Sequence, residues 1–275
     1  MRELQGRTAL VTGGSGGIGA YIARALASAG MNVVVSGRRE DALAAVVGEL
    51  RGMGVQAESV TADLLVRDQV ESLIERAAAT IAPLDVLVNN AGVESASAFT
   101  RLSADDLTSM VEVNLTAPLL LTRAVLPGML ERGRGHVVFI SSVAGKIGPA
   151  YQAPYAATKA GLIGLTQSLR GEYPDGPVGF SVVSPGFVAG DGMYQRMTEQ
   201  GVTSNRILGH TTVKKVADRV VQAIREDRPD VVESGSPVRP MLAIAQIAPG
   251  LVERTMRRIG ATEIFRRAAE MNRRA

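Results

Sequence analysis

The sequence predicts a doubly wound α/β fold, a parallel sheet covered by helices on both faces. Two observations lead there: short apolar, β-branched runs recur between helix-length stretches, and a glycine-rich loop directly follows the first of those runs. Strands apolar at every position, rather than at alternate ones, suit a sheet buried on both sides. In chain order the strand candidates are TALVT (8–12), NVVVS (32–36), VQAESVTA (55–62), DVLVNN (85–90), HVVFISS (136–142) and GFSVVS (179–184), with DVVES (230–234) as a last one. The first six are each followed by a helix-length segment, the pattern of repeated β-α units. No repeat, low-complexity segment or linker divides residues 1–236, which read as one domain, with residues 237–275 as a helical C-terminal extension packed on it or on a partner.

Composition removes several classes of function. The 275 residues are 46% hydrophobic, enough for a sizeable core, and include no cysteine. Disulfides, thiolate catalysis and cysteine-ligated metals are thereby excluded, and no metal site is expected. The opening MRELQGRTALV enters a strand-like run without the charged and apolar regions of a signal peptide, so a cytoplasmic location is expected. The pI of about 9.4 suggests nucleic acid, yet the net charge is only +3 and sits in the tail. Arg239 to Ala275 hold eight arginines against Glu253, Glu263 and Glu270, leaving the preceding residues at −2. With 4% aromatics and none interleaved with a basic run, a nucleic-acid partner is not expected.

The glycine loop, TGGSGGIGA from Thr12 to Ala20, lies between the first strand and the first helix. Gly13, Gly17 and Gly19, with Ser15, Gly16 and Ile18 between them, let backbone approach a pyrophosphate that the following helix N-terminus attracts. Gly13 to Gly17 also spell G-x-S-x-G, the nucleophile elbow of a serine hydrolase, with Ser15 as nucleophile. Against that rival, only twelve residues precede Gly13 to supply an oxyanion hole, and the triad base could only be His136 or His210, both read as structural. The second strand runs into Gly37-Arg38-Arg39, with no carboxylate at its end to hold a ribose 2′-hydroxyl. Two guanidiniums there suit a 2′-phosphate, so NADP(H) is expected in preference to NAD(H). Glu40 and Asp41 stand where the next helix begins and suit its dipole. Further on, YAATK places Tyr155 and Lys159 at i and i+4, on one face of a helix.

In this order the motifs resemble the short-chain dehydrogenase/reductase family over residues 7 to about 235: the TGGSGGIG loop, Asp63, NNAG (89–92), Asn114 in VNL, ISS (140–142), YAATK and Pro185-Gly186. The resemblance implies a single Rossmann domain with a seven-stranded parallel sheet, a homodimer or homotetramer, and a small-molecule carbonyl or alcohol as substrate. It implies Tyr155 as acid/base, Lys159 holding the nicotinamide ribose and lowering the tyrosine pKa, Ser142 bonding the substrate oxygen, and Asn114 keeping a relay water. Lowering a phenol from ~10 to ~7 requires about 4 kcal/mol of differential stabilisation. Asp63 and Leu64 are implied at the adenine, Asn90, Ala91 and Gly92 at the ribose, and Pro185, Gly186 and Val188 near the nicotinamide, while Asn89 is read as tying strands together. Two departures matter: Gly190 stands where the family often has threonine, and Gly16 where it has arginine or serine, which leaves the NADP reading on Arg38 and Arg39. A non-catalytic NADP-binding sensor is the alternative of another class.

Substrate contacts are expected from the variable loop, Phe187 to His210, with Met193, Tyr194, Met197, Ile207 and Leu208 favouring a bulky hydrophobic ketone or alcohol. For the tail three placements compete: over the substrate mouth, on a membrane surface through its apolar stretch and arginines, or against the body or a partner subunit. The last is preferred.

Overall fold

The structure, a computed structural model, describes residue 1, residues 3–189 and residues 209–271. The five substrate-loop side chains named above, and Gly190, lie outside the described residues. The order of elements is β1 (Thr8–Thr12), α1 (Gly17–Ser28), β2 (Asn32–Gly37), α2 (Glu40–Gly52), β3 (Ala57–Thr61), α3 (Arg67–Thr80) and β4 (Leu84–Asn89). Then come α4 (Ala104–Val111), a π-helical turn (Glu112–Thr116), α5 (Ala117–Glu131), β5 (Gly135–Ile140), α6 (Ala144–Ile147), α7 (Ala153–Glu172) and β6 (Val178–Pro185). After β6 follow β7 (Val188–Ala189), β8 (Thr211–Thr212), α8 (Val213–Glu226), β9 (Asp230–Glu233), α9 (Arg239–Ile247), α10 (Pro249–Arg258) and α11 (Ala261–Met271).

Seven strands form one parallel sheet in the order β3-β2-β1-β4-β5-β6-β9. Successive side chains of each strand leave on opposite faces. Ala9, Val11, Val33 and Val35 therefore join Ile22, Leu26, Val216 and Val220 in one core, under α1 and α8. Leu10, Val34, Leu87 and Phe139 join Leu73, Leu121, Met129 and Leu162 in the other, under α3, α5 and α7. This two-faced burial is what the continuous apolar runs encode. Strand order reverses between β1 and β4, so the crevice at their carboxyl ends is where such a sheet takes its ligand.

Three differences from the sequence reading stand out. β5 ends at Ile140 where HVVFISS had been read through residue 142, because its pairing with β6 ends at Ile140 opposite Val183. Ser141 and Ser142 lie past the strand's end but are still tied to β6, since Ser141 N–H bonds the Val183 carbonyl at 2.8 Å and Val143 N–H the Pro185 carbonyl at 2.9 Å. The pair β7 and β8, two residues each, shows no period in the sequence and was not foreseen. The tail is three helices: Pro249 opens α10, and Gly260, at φ +77°, turns the chain before α11. Residues Ala104–Glu131 form a run long and apolar enough to cross a membrane by length and composition. In the fold that run packs on the sheet, with Leu121, Val125 and Met129 buried.

Candidate active site

A cavity of about 680 Å³ opens at the carboxyl ends of β1, β4, β5 and β6. Gly13, Ser15, Gly16, Gly17, Ile18, Gly19 and Arg39 line one end. Asn90, Ala91 and Gly92 line the middle, and Ser142, Tyr155, Lys159, Pro185, Gly186 and Val188 the far wall. Asn114 stands directly behind it: a Cβ placed on Gly92 would lie 3.3 Å from Asn114 Oδ1 and 3.4 Å from Lys159 Nζ.

The loop between β1 and α1 is shaped for close approach. Gly13 has φ +67°, and a Cβ on Gly19 would come 2.2 Å from the Gly13 carbonyl oxygen, so no other residue fits at 19 without moving backbone. Thr12 Oγ1 accepts from the N–H groups of both Asn90 and Ala91 at 3.1 Å, and Asn90 Nδ2 donates to the Thr12 carbonyl at 2.9 Å, locking the loop to the end of β4. α1 starts from Gly16 with no side-chain cap and no acid in its first turn. Its N-terminus therefore faces the cavity as an anion site. Arg39 Nη2 donates to the Ser15 carbonyl at 3.2 Å, which lays the guanidinium over the loop.

Not every predicted contact reaches the cavity. Arg38 is exposed and outside its wall. Asp63 Oδ1 accepts from Leu65 N–H at 3.0 Å in a turn leading to α3, and Leu64 packs on the core under that helix. The end of β3 nevertheless stays beside the loop region, since Ala62 N–H bonds the Gly37 carbonyl at 3.0 Å. Glu40 and Asp41 occupy the first turn of α2, as their placement against the dipole required. Asn89 is buried and donates to Thr122 Oγ1 at 3.4 Å, tying β4 to α5.

At the far wall, Tyr155 and Lys159 share a face of α7, with Lys159 Nζ 5.6 Å from the Tyr155 ring centre. Lys159 Nζ donates to the Ile140 carbonyl and Ser141 Oγ to the Lys159 carbonyl, both at 2.8 Å, fixing α7 against the end of β5. The absence of a Cβ at Gly145 lets α6 sit on α7, where that atom would be 2.6 Å from the Lys159 backbone. Asn114, at the centre of the π-helical turn, accepts from Val93 N–H and donates to the Val93 carbonyl at 2.8 Å each, and donates to Thr158 Oγ1 at 3.3 Å. Its amide thus clamps the chain after NNAG to α7.

Burial first, and then the negative charge of Glu94, push the Tyr155 phenol up from its ordinary value, while the side-chain hydrogen bond with Ser142 pulls it down. Burial also pushes the Lys159 ammonium down, to about 8, with Glu94 opposing. The cause is that both groups are desolvated together, at 9% and 4% exposure, and desolvation disfavours both charged forms.

Among the described residues no triad is assembled around Ser15. His136 is buried in β5 with Nε2 2.8 Å from Ser181 Oγ, and no histidine is among the described residues lining the cavity. Sequence reasoning missed Glu94 and Gln152, which line the wall beside Tyr155. Their closeness to NNAG and YAATK was the available signal. It also missed Val238, Met241, Met256 and Phe265, through which the tail closes one side of the cavity; nothing local in the sequence marks these. Tail and body meet at Ala96, Ala261, Ile264 and Ala268, and Phe265 stacks on Phe187 at 5.9 Å.

Residues 7–201 match the family profile described as short chain dehydrogenase. Ketoacyl reductase HetN of a Nostoc species is 38% identical over 98% of this chain and 95% of its own length. The chain also resembles the crystal structure of a 3-oxoacyl (acyl-carrier-protein) reductase from Agrobacterium tumefaciens C58 with NADP bound, 32% identical, with a TM-score of 0.78 over 85% of this chain and 95% of that one. A short chain dehydrogenase/reductase from Burkholderia phymatum in complex with NAD gives 27% identity and a TM-score of 0.80 over 91% and 96%.

Proposed function

Because the chain belongs to the short-chain dehydrogenase family, oxidoreductases acting on CH–OH and C=O groups, we propose that it reduces the ketone of a hydrophobic 3-oxoacyl-type molecule, with NADPH preferred over NADH and Tyr155 as acid/base. The observation that carries this reading is one cavity holding an anion cradle under Arg39 at one end and Ser142, Tyr155 and Lys159 at the other. The names of the relatives, a ketoacyl and a 3-oxoacyl reductase, support the substrate class.

The cradle fits a dinucleotide: the loop is open at Gly17, where a Cβ would have nothing within 4 Å, and the N-terminus of α1 is uncapped. Gly13 to Gly19 would hold its pyrophosphate, Arg39 a 2′-phosphate, Asn90 to Gly92 and Lys159 its ribose, and Pro185, Gly186 and Val188 the carboxamide end. Asp63 and Leu64 are the proposed adenine contacts beyond the wall. Once bound, a nicotinamide dinucleotide supplies the hydride.

The chain's own residues manage the proton and the orientation. Ser142 bonds the carbonyl oxygen and aligns it with the Tyr155 phenol, which donates its proton to that oxygen. A phenol held protonated by burial suits this direction of reaction. Lys159 compensates the phenolate left behind, and Asn114 keeps the path by which the proton is restored. Ile147, Phe187, Met241, Met256 and Phe265 offer the acyl chain an apolar wall.

Steady-state reduction of a 3-oxoester panel with NADPH and NADH tests the reading. Tyr155→Phe is expected to lower kcat/KM by about 10²- to 10⁴-fold while NADPH still binds. Residual turnover within about tenfold of the unaltered protein would remove Tyr155 from the role.

A further inference from the structure

Glu94 is the one carboxylate among the described residues lining the cavity. Its place is built from three sides. The backbone of Val93 is clamped through both N–H and carbonyl by Asn114. Ser97 N–H bonds the Tyr151 carbonyl at 2.9 Å, tying the same segment to the chain that leads into α7. Gln152, 3% exposed and three residues before Tyr155, donates from Nε2 to Glu94 Oε1.

That hydrogen bond holds the carboxylate at the start of α7, in a cavity lining that also includes Ile147, Pro149 and Tyr155. Nothing proposed for the dinucleotide uses it. Its charge is felt at the reacting end of the cavity, because it acts on both Tyr155 and Lys159.

We infer that Glu94, held by Gln152, is a specificity-determining residue: it admits 3-oxo compounds whose acyl end is neutral, as an ester, thioester or amide, and rejects the free 3-oxo acids. This rests on the proposed carbonyl reduction at Tyr155. A 3-oxo acid carries its carboxylate two carbons from the reacting carbonyl, so docking its ketone at Ser142 and Tyr155 brings a second anion close to Glu94. Two like charges about 6 Å apart at an effective dielectric constant of about 20 weaken binding roughly a hundredfold. A neutral thioester escapes this, and an amide N–H or hydroxyl farther along its arm can donate to the carboxylate.

The test compares the methyl ester and the free acid of whichever 3-oxo chain length is reduced fastest, in the unaltered protein, Glu94→Gln and Glu94→Asp. Glutamine keeps an oxygen for Gln152 and loses the charge; aspartate keeps the charge. The ester is expected to lead the acid in kcat/KM by roughly a hundredfold. Glu94→Gln should cut that lead at least about tenfold through the KM of the acid, and Glu94→Asp should retain most of it. A lead unchanged in Glu94→Gln overturns the assignment and leaves the reductase reading standing. Failure to reduce any ester overturns both.

Discussion

At the scale of single residues, the pair Tyr155 and Lys159 was recognisable from spacing, yet its electrostatic state was not. Spacing put phenol and ammonium on one face; the fold then removed water from both, and burial opposes either charge. The two arginines after β2 divide in the same way. In the sequence Arg38 and Arg39 are equivalent, but only Arg39 lies over the loop, bonded to the Ser15 carbonyl. Charge-assisted contacts of this kind contribute about 1.5–3 kcal/mol. Arg39→Ala is therefore expected to weaken NADPH binding roughly ten- to a hundredfold with little change for NADH, and Arg38→Ala to change neither by more than about threefold. Competitive titration of the two nucleotides checks both.

At the scale of elements, strands were read more closely than helices. β1 was bounded to the residue, since an apolar run between polar neighbours ends where burial ends. The π-helical turn at Glu112–Thr116 was invisible, because it depends on one extra residue per turn rather than on composition. It is what turns Asn114 toward Val93 and Thr158. β5 carries His136, wholly buried against Ser181. Burial first, against the nearby Asp227, holds its pKa down at about 3. Between about 3 and an unfolded value of ~6.5, the unfolded chain binds the extra proton, so stability is lost as pH falls through that window. The loss is about 1.4 kcal/mol per pH unit for one proton. Urea unfolding at pH 7, 6 and 5 should show a steeper decline for the unaltered protein than for His136→Gln.

At the scale of the whole molecule, the tail carries the main addition to the cavity. Its described helices pack on the body and also line the cavity through Val238, Met241, Met256 and Phe265. That is the preferred packing on the body, and it also brings the tail to the cavity. Phe265, 7% exposed and stacked on Phe187, belongs to that contact. Phe265→Ala is expected to cost up to about 3 kcal/mol in urea unfolding. It should also raise KM for a long-chain 3-oxoester roughly tenfold, and for a short one much less. Equal effects on both chain lengths would show a tail that stabilises without touching the substrate.

The sequence by itself determined the parallel sheet, the glycine loop after β1 and the shared helix face of Tyr155 and Lys159, because each is written locally: burial on both faces, glycines where backbone must approach, side chains four apart on a helix; Ser142 joined them only through the order of motifs that the family resemblance supplies. Only the tertiary structure decided which arginine faces the loop, that Glu94 and Gln152 join the cavity wall beside Tyr155, and that Val238, Met241, Met256 and Phe265 close one side of it. Those outcomes depend on contacts between segments far apart in the chain, such as Phe187 with Phe265 and Asn114 with Thr158. Such contacts form only where packing brings the segments together, and no local pattern carries them.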